Sequence, residues 1–550
     1  MATAFNTSCV LAIDLGSGGP KVALFSDQGT LIGRASSTIS TKLTSDGGGE
    51  QDPEEWWRAV SLCVRQIVEQ RIVPVERIMA ISCASQWSVT VPVDGHGQHL
   101  MNAVHWSDAR GAVYTQRLMN GLVKVGGYGA WRLWQWMRLT GGAPVAAGSD
   151  ALAHMLFIRH ERPEVYRRTF KFLEPMDYLN FRLTGRAAAS YATIFPYLLT
   201  DNRDSANVRY NDGLIAAAGL DAAKLPDLLP VGSVLGTMRP AVAQEWGLSA
   251  DTKVVSGTPD SQAGAVGSGA VRDYEGHVCV GTTAWLSCHV PFKKTNVFDF
   301  VATMPSAIHG RNMVAAEQGP AGKCLAVFVD NWLFPSDDLT NQAAPTDVYE
   351  RIERLASGVP AGSDNLLFLP WLNGAGPPSG DSAMRGGFLN QSLRTGRAEA
   401  VRAIMEGVAF NLRWLRMSVE RFVGRPFETL NFIGGCARSR LWCQILADVL
   451  DRPIRRIADP EMAIARGAAM VALVALRRLT VDAIPPVVLV DSTYLPQAEN
   501  RLLYADLFAE FLSSYKANRR LFGRLNARPT TRPKLACGEG NDRAVHDDST

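Results

Sequence analysis

The chain has 550 residues, of which 47% are hydrophobic and 20% charged, and a formal net charge of +3 at pH 7. That length exceeds what one hydrophobic core supports, so we expect two large domains in a soluble globular protein. The small net charge gives no basic excess for nucleic acid or an anionic membrane. No apolar stretch approaches the ~20 residues of a membrane helix, and residues 1–6 do not look like a signal peptide.

The nine cysteines are scattered and odd in number, at positions 9, 63, 83, 279, 288, 324, 436, 443 and 537. None forms a Cys-x-x-Cys pair, so neither a zinc site nor a disulfide framework is indicated. Most lie in apolar runs, which favours buried free thiols. We therefore expect a cytoplasmic protein, because the cytoplasm is a reducing compartment.

The first part of the chain begins with strands and continues with a helix. Strands are predicted over residues 9–15, 21–26, 31–37 and 79–83. Between them a helix is predicted to begin near Asp52, which suits the N-cap, with Pro53 at the first helical position. This strand-then-helix pattern favours an α/β layer fold.

The order of elements in the first half of the chain repeats in the second half. Before that repeat, residues 112–250 are predicted to be mostly helical with loops, including helices over 150–160 and 208–218. A strand is predicted at 254–257 and a small-residue helix start at 264–269. A strand-turn-strand unit around 281 follows, with helices over 398–424 and 438–451. The pattern predicts a duplicated architecture, and the polar composition of 526–550 predicts a disordered tail.

Two glycine turns, each between two apolar runs, are the strongest local signals. They are Gly16-Ser17-Gly18-Gly19 and Gly281-Thr282-Thr283. Turns of small residues leave backbone N–H groups open to an anion, and hydroxyls add donors. Two of them suggest two lobes that face one polyphosphate, with Asp14 placed to hold its metal ion. A Rossmann turn is excluded because Pro20-Lys21 leads into a strand, and no Walker sequence follows.

Further candidates follow other buried strands. Asp260 ends a strand just before a small-residue helix, where a carboxylate can take a proton from an attacking hydroxyl. The local pattern by itself favours a helix cap at Asp260 over this catalytic role. Gly434-Gly435 lies between a strand and the helix 441–450, where a nucleotide could approach the backbone, although many such pairs are only turns.

Two polar loops contain aromatic residues. Gln86-Trp87-Ser88 follows one strand, and His105-Trp106-Ser107-Asp108-Ala109-Arg110 follows the next. Hydrogen-bonding groups beside an aromatic face suit a polyhydroxylated ligand. The alternative is that both tryptophans are ordinary core residues.

Taken in order, the segments resemble the FGGY carbohydrate kinases, and within them the xylulose kinases. The likeness covers roughly residues 8–520 and rests on the order and spacing of segments that are individually weak. They are Ile13-Asp14-Leu15-Gly16, Glu50-Gln51-Asp52-Pro53, Trp106-Ser107-Asp108-Ala109-Arg110, Asp177-Tyr178-Leu179, Leu183-Thr184-Gly185, 257–260, Gly281-Thr282-Thr283, 366–370, 406–410, Gly434-Gly435 and Gly467-Ala468-Ala469.

The resemblance implies a two-lobed, actin-like (ribonuclease H-like) α/β fold with a cleft between duplicated mixed sheets. The expected domains are 1–255 for sugar and the first phosphate turn, 256–525 for nucleotide, and the tail. The implied reaction is phosphorylation of a ketose, D-xylulose first, at a terminal hydroxyl, with ATP and Mg²⁺. The resemblance also allows a homodimer.

The resemblance assigns a role to each matching residue. It makes Asp260 the catalytic base, against the local preference for a cap, and Asp14 the residue that positions Mg²⁺. The expected nucleotide contacts are Ser17, Lys21, Thr282, Thr283, Gly322, Gly434, Gly435 and Ser439. The expected sugar contacts are Gln86, Trp87, Ser88, Trp106, Asp260 and Ser261.

Three segments depart from the family pattern. Gln86-Trp87-Ser88 stands where Gln-Met-His is usual, and residues 374–378 lack the usual Glu-Arg pair. The first turn has Ser17-Gly18 in place of Thr-Ser or Thr-Thr, and Pro20 lacks an N–H donor. Open alternatives are a kinase for another pentulose, hexulose or polyol, a regulator that binds sugar and nucleotide without turnover, and an actin-like assembly or chaperone ATPase.

Overall fold

Two mixed β-sheets organise the computed structural model, which describes residues 7–339 and 342–526. The six strands of the first sheet are β1 (Cys9–Gly16), β2 (Gly19–Ser26), β3 (Leu31–Ser36), β4 (Ile78–Ser85), β5 (Val234–Thr237) and β6 (Lys253–Pro259). The eight strands of the second are β7 (Gly276–Val280), β8 (Thr283–Val290), β9 (Thr295–Asn296), β10 (Val301–Pro305), β11 (Asn312–Pro320), β12 (Leu430–Ile433), β13 (Ile454–Ile457) and β14 (Val490–Tyr494).

Both sheets contain the same five-strand core. The spatial orders are β5-β6-β4-β1-β2-β3 and β9-β10-β11-β8-β7-β12-β13-β14. In each core an antiparallel hairpin (β1–β2 or β7–β8) continues into a third antiparallel strand, β3 or β11. Two parallel strands then extend the other side, β4 and β6 or β12 and β13. The predicted duplication and the α/β class are therefore confirmed.

Helices cover the sheets and fill the connections. They are α1 (Pro53–Glu69), α2 (Ala112–Leu118), α3 (Ala130–Thr140), α4 (Ala151–Glu161), α5 (Pro163–Arg168), α6 (Pro175–Thr184), α7 (Asp212–Ala218), α8 (Pro240–Trp246), α9 (Asp260–Gly267), α10 (Gly322–Phe328), α11 (Val348–Ser357), α12 (Arg397–Val423), α13 (Arg440–Leu450), α14 (Ala463–Ala475), α15 (Ile484–Val487) and α16 (Arg501–Leu525).

Short strands pair outside the two large sheets. They are Lys42–Leu43, Gly49–Gln51, Val91–Val93, Ala103–Val104, Lys124–Val125, Tyr128–Gly129, Lys171–Leu173, Ala188–Ser190, Thr200–Asp201, Arg209–Tyr210, Asp227–Leu229, Leu367–Leu369 and Gly387–Leu389.

Most predicted elements are present, and two boundaries are wrong. α1 begins as expected, with the Asp52 carboxylate accepting a hydrogen bond from the Glu54 N–H. The helix predicted from residue 208 begins only at 212, because the Asn211 side chain caps it and the preceding residues pair as a strand. The helix start predicted at 264 lies inside α9, which begins at Asp260. Residues 527–550 of the predicted tail lie outside the described residues.

One helix crossing joins the two halves of the molecule. α14 comes from the second half but packs its alanines on the first sheet. It crosses α9 at two glycines, where any side chain would collide with the backbone of the other helix. A Cβ at Gly267 would lie 1.7 Å from the Ala463 oxygen, and one at Gly467 would lie 1.8 Å from the Ala263 oxygen. This close packing fixes the joint between the two halves.

The eight described cysteines are all free thiols, and seven of them are buried, as predicted. Cys537 lies outside the described residues. In the part of the chain that the structure covers, no helix has the length and apolar content to cross a membrane.

Candidate active site

Asp14 lies near the end of β1 and is only 2% exposed. Its partner across the hairpin is Lys21, with Nζ 3.8 Å from Asp14 Oδ2. The other carboxylate oxygen, Oδ1, is buried without a hydrogen-bond partner. Burial raises the pKa of Asp14, and the Lys21 ammonium opposes that rise. An unsatisfied buried carboxylate oxygen is costly, so this atom is suited to a ligand.

The turn between β1 and β2 is shaped by Gly19. Its φ is +135°, and a Cβ there would lie 2.1 Å from the Ser37 carbonyl oxygen, so only glycine fits. Gly18 has open space around its Cβ position and is exposed. The Ser37 N–H donates to the Pro20 oxygen at 3.1 Å. In a β-strand the nitrogen and the carbonyl oxygen of one residue point to the same side, so the Pro20 nitrogen also faces β3. The N–H that Pro20 lacks would therefore have pointed toward β3 and not toward a ligand at the turn.

Asp260 lies at the junction of β6 and α9. Pro259 occupies the N-cap position, so Asp260 is the first helical residue and not the cap. Its carboxylate accepts the Ser261 N–H at 2.6 Å. The hydroxyl oxygen of Ser261 is buried without a partner. Burial raises the pKa of Asp260 well above its ordinary value, and the negative charges of Glu317 and Asp14 raise it further.

Glu317 is a residue of this site that no sequence motif indicated. It lies in β11, opposite Trp285 of β8, and is exposed. Desolvation raises the pKa of Glu317, and a hydrogen bond from the Thr283 side chain opposes that rise. Because Asp14 comes from the first sheet and Glu317 from the second, both halves contribute acidic groups around Asp260. The only sign of Glu317 in the sequence was its charge within a mostly apolar strand.

The second turn is held by close backbone packing. The Gly281 oxygen accepts the Gly322 N–H at 2.9 Å, and a Cβ on Gly322 would lie 2.4 Å from that oxygen. Gly434 has a φ of +96°, and its Cβ would lie 2.5 Å from the Val280 oxygen. The structure therefore brings Gly281, Thr282, Gly322 and Gly434 together, although they are far apart in sequence.

Gly435 and Ser439 continue this wall of the site. Gly435 has no atom within 4 Å of its Cβ position and is exposed, so a ligand can approach its backbone. The Ser439 hydroxyl oxygen accepts the Trp442 N–H at 3.1 Å as the N-cap of α13. Ser439 therefore has a structural role in addition to the predicted nucleotide contact.

The loop after β4 presents Trp87 and Ser88. Trp87 stacks on Phe195, with ring centroids 6.2 Å apart, and both Trp87 and Ser88 are partly exposed. Ser88 has a φ of +57°, an uncommon backbone conformation for a residue with a side chain. The Glu174 carboxylate holds this loop by accepting the Val89 N–H at 3.1 Å.

Trp106 lies on a neighbouring loop and is partly exposed. Its ring lies against His105, with centroids 4.6 Å apart. The same loop is fixed by Arg110, which donates to Asp108 at 2.6 Å and to Glu50 at 2.8 Å. Gln86 differs from its neighbours because it is buried and its amide bonds to Gln51 and His105.

The acidic groups suit a divalent cation that also binds phosphate. Among residues 7–339 and 342–526, no three His, Cys, Asp or Glu side chains are grouped closely enough to hold a metal ion alone. Mg²⁺ is often bound by one or two carboxylates together with substrate phosphates. The unpartnered Oδ1 of Asp14 fits that arrangement. The positive charge of the ion would also offset the negative charges of Asp14, Asp260 and Glu317, which Lys21 alone does not balance.

The duplicated mixed sheets, each with its own hairpin, define the class of two-lobed, actin-like α/β proteins. The comparisons with known proteins give the family. The N-terminal domain model of the FGGY family of carbohydrate kinases matches residues 9–267, and the C-terminal domain model matches residues 279–476. The chain belongs to the FGGY family of carbohydrate kinases, a family that uses ATP as its phosphoryl donor.

Similar proteins differ in the substrate that their names give. The xylulose kinase of Staphylococcus epidermidis is 27% identical over 93% of this chain and 97% of its own length. The autoinducer-2 kinase of Enterobacter is 28% identical over 84% of this chain and 86% of its own. The gluconate kinase structure from Lactobacillus acidophilus superposes with a TM-score of 0.79 at 22% identity, covering 94% of this chain and 100% of the other. The fold and the kinase class are thus shared among enzymes with different acceptors.

Proposed function

We propose that this enzyme transfers the γ-phosphoryl group of ATP to a terminal hydroxyl of a ketose, with D-xylulose as the first candidate. The observation that carries the proposal is the position of Asp260, which directly follows the buried strand β6. Burial raises the pKa of its carboxyl, and the charges of Glu317 and of Asp14 raise it further. A base of raised pKa is suited to accept a proton from a sugar hydroxyl near neutral pH.

In the proposed reaction the sugar hydroxyl oxygen attacks the γ-phosphorus while Asp260 takes its proton. The new O–P bond forms as the bond to the ADP oxygen breaks, and ADP leaves with that electron pair. Asp14 would hold Mg²⁺, which offsets phosphate charge when bound. Ser17 and Lys21 would contact the transferred phosphate. The nucleotide would lie on the opposite wall, formed by Thr282, Thr283, Gly322, Gly434, Gly435 and Ser439.

The acceptor would lie between the two aromatic loops. Trp87 and Trp106 offer ring faces, and Ser88 and the unpartnered Ser261 hydroxyl offer hydrogen bonds. Gln86, buried behind them, would act through its neighbours. In this proposal residues 1–255 carry the first phosphate turn and the aromatic sugar loops, and residues 256–525 carry the nucleotide contacts together with Asp260 and Ser261. Closure of the two lobes would exclude water and limit ATP hydrolysis.

The test is a coupled ADP-release assay with ATP and Mg²⁺ over a panel of acceptors. The panel contains D-xylulose, other pentuloses, hexuloses, glycerol and other polyols, and gluconate. We expect D-xylulose to give the highest kcat/KM. A preference for another acceptor would overturn the proposed substrate but leave the kinase class intact.

Two other outcomes would favour the alternative functions. Thermal stabilisation by sugar and ATP without phosphoryl transfer to any acceptor would indicate a binding regulator. ATP hydrolysis that is independent of sugar and accompanied by concentration-dependent polymerisation would indicate an assembly ATPase.

A further inference from the structure

A continuous chain of hydrogen bonds runs behind the first turn and the sugar loop. Gln51, only 1% exposed, donates from Nε2 to the Ser17 carbonyl oxygen at 3.0 Å. Its Oε1 accepts from Gln86 Nε2 at 2.7 Å. Gln86 Oε1 lies 3.2 Å from His105 Nε2, and His105 Nδ1 lies 2.8 Å from the Ser107 hydroxyl. The chain thus connects four segments that are separate in sequence.

Trp56 sets the direction of these hydrogen bonds at one end. Its indole Nε1 lies 3.1 Å from Gln51 Oε1, and an indole N–H can only donate. The Gln51 oxygen is therefore the atom that faces Trp56, and Gln51 Nε2 must face Ser17. By the same reasoning the Gln86 nitrogen faces Gln51, and the Gln86 oxygen faces His105.

At the other end of the chain, His105 independently requires the same direction of the hydrogen bonds. The Ser107 backbone N–H lies 3.3 Å from His105 Nδ1, so this ring nitrogen accepts. Burial lowers the pKa of His105 to about 4, so the ring is neutral at physiological pH. A neutral imidazole that accepts at Nδ1 carries its proton at Nε2, where Gln86 supplies an acceptor. Two groups that can only donate, Trp56 N–H and Ser107 N–H, therefore agree on one arrangement.

The contact at Ser17 determines where the next N–H points. The peptide unit between Ser17 and Gly18 is planar and trans, so its C=O and N–H point in opposite directions. Because Gln51 holds the Ser17 oxygen on the buried side, the Gly18 N–H points to the exposed side of the turn. That is the side on which an anion would bind.

We propose that Gln51 is a positioning residue that aims the Gly18 N–H at the transferred phosphate, and that Gln86 and His105 hold Gln51 in that orientation. The inference rests on the proposed function, because it takes the first turn as a phosphate site. Gln86 also begins the loop that carries Trp87 and Ser88. The same hydrogen bonds therefore fix the sugar loop and the phosphate donor relative to each other.

The kinetic test uses Gln51→Glu, which keeps an acceptor for Trp56 but replaces the donor to Ser17 by a carboxylate oxygen. We expect kcat to fall about 10- to 100-fold, as small misplacements of reacting groups do, while KM for the sugar changes little. The double variant Gln51→Leu/Gln86→Leu should lose no more activity than the worse single variant, because both act through one peptide unit. Gln244→Glu, at an exposed position of α8, adds the same charge and should leave kcat unchanged.

A second measurement does not depend on activity. In the wild-type protein labelled with ¹⁵N-histidine, the His105 signal, assigned by its loss in His105→Gln, should show the Nε2–H tautomer. The Nδ1–H tautomer would overturn the inferred direction, and an unchanged kcat in a folded Gln51→Glu variant would overturn the positioning role. If the wild type phosphorylated no acceptor, the proposed function would fail and with it the role in phosphate positioning. The tautomer would then still decide the hydrogen-bond direction separately.

Discussion

The two glycine hairpins share one backbone plan but are held in different ways. The β1–β2 turn carries a buried acid, Asp14, and its apex is fixed by a side-chain hydrogen bond from Gln51. The β7–β8 turn has no acid of its own and is fixed by backbone contacts. Gly281 bonds to Gly322, and Gly434 packs on the strand before the turn.

This difference teaches that duplicated strands need not carry duplicated chemistry. The first turn depends on polar side chains, so we expect changes of charge and hydrogen bonding to affect it most. The second depends on the absence of side chains, so we expect changes of volume to affect it most. Asp260 belongs to neither turn, because it lies at the start of α9.

The largest effect is expected at Asp260. Asp260→Asn keeps the size of the side chain but cannot accept the proton, so kcat should fall about 10²- to 10⁴-fold. The measurement is coupled ADP release with the preferred acceptor. Asp212→Asn is the matched control, because Asp212 is also the first residue of a helix but is exposed. Wild-type kcat in a folded Asp260→Asn enzyme would remove Asp260 as the base.

The second effect is steric and concerns the β7–β8 turn. Gly434→Ala forces a side chain into a left-handed φ and against the Val280 oxygen, which should cost about 1–3 kcal/mol of stability and raise KM for ATP. Thermal unfolding and ATP saturation curves measure the two consequences. Gly435→Ala has open space and no left-handed φ, so its unfolding temperature should equal that of the wild type. Equal unfolding temperatures for the two variants would contradict the packing argument.

The third effect is a shift in pH dependence. The proposed base must be deprotonated, so activity should rise with pH as Asp260 loses its proton. Burial raises the pKa of Asp260 most, the charges of Glu317 and Asp14 raise it further, and Lys21 lowers it. Glu317→Gln removes one negative charge, so the acidic limb of the kcat/KM profile should move to lower pH. The exposed Glu350→Gln should leave the limb in place. A shift to higher pH in Glu317→Gln would contradict the assigned charge coupling.

Local patterns predicted most of the fold because each element had its own signals. Asp52-Pro53 began α1 as expected, and the two hairpins appeared around their glycines. Errors arose where a capping side chain competed with apolar periodicity, as at Asn211 before α7.

The site was harder to predict because its residues meet only in three dimensions. At Asp260 the local pattern favoured a cap, whereas Pro259 occupies that position and leaves the carboxyl beside Glu317 and Asp14. In the sequence, Glu317 was visible only as a single charged residue within a strand. Gln51 and His105 lie in segments that were noted, but their hydrogen bonds depend on strand register and not on spacing.

The smallest effect concerns the β1–β2 turn, where the open space at Gly18 could hold an additional hydrogen-bond donor. Gly18 has no atom within 4 Å of its Cβ position and no left-handed φ, so Gly18→Ser should be accepted without strain. The added hydroxyl lies on the exposed side of the turn and should lower KM for ATP by a few-fold, since one hydrogen bond to a charged group contributes about 1.5–3 kcal/mol before desolvation and ordering reduce it. Gly95→Ser is the control, because Gly95 is equally open but lies in the turn 94–97, which carries no residue assigned to the site. A higher KM in Gly18→Ser at unchanged stability would mean that the added side chain hinders the nucleotide, and would contradict this prediction.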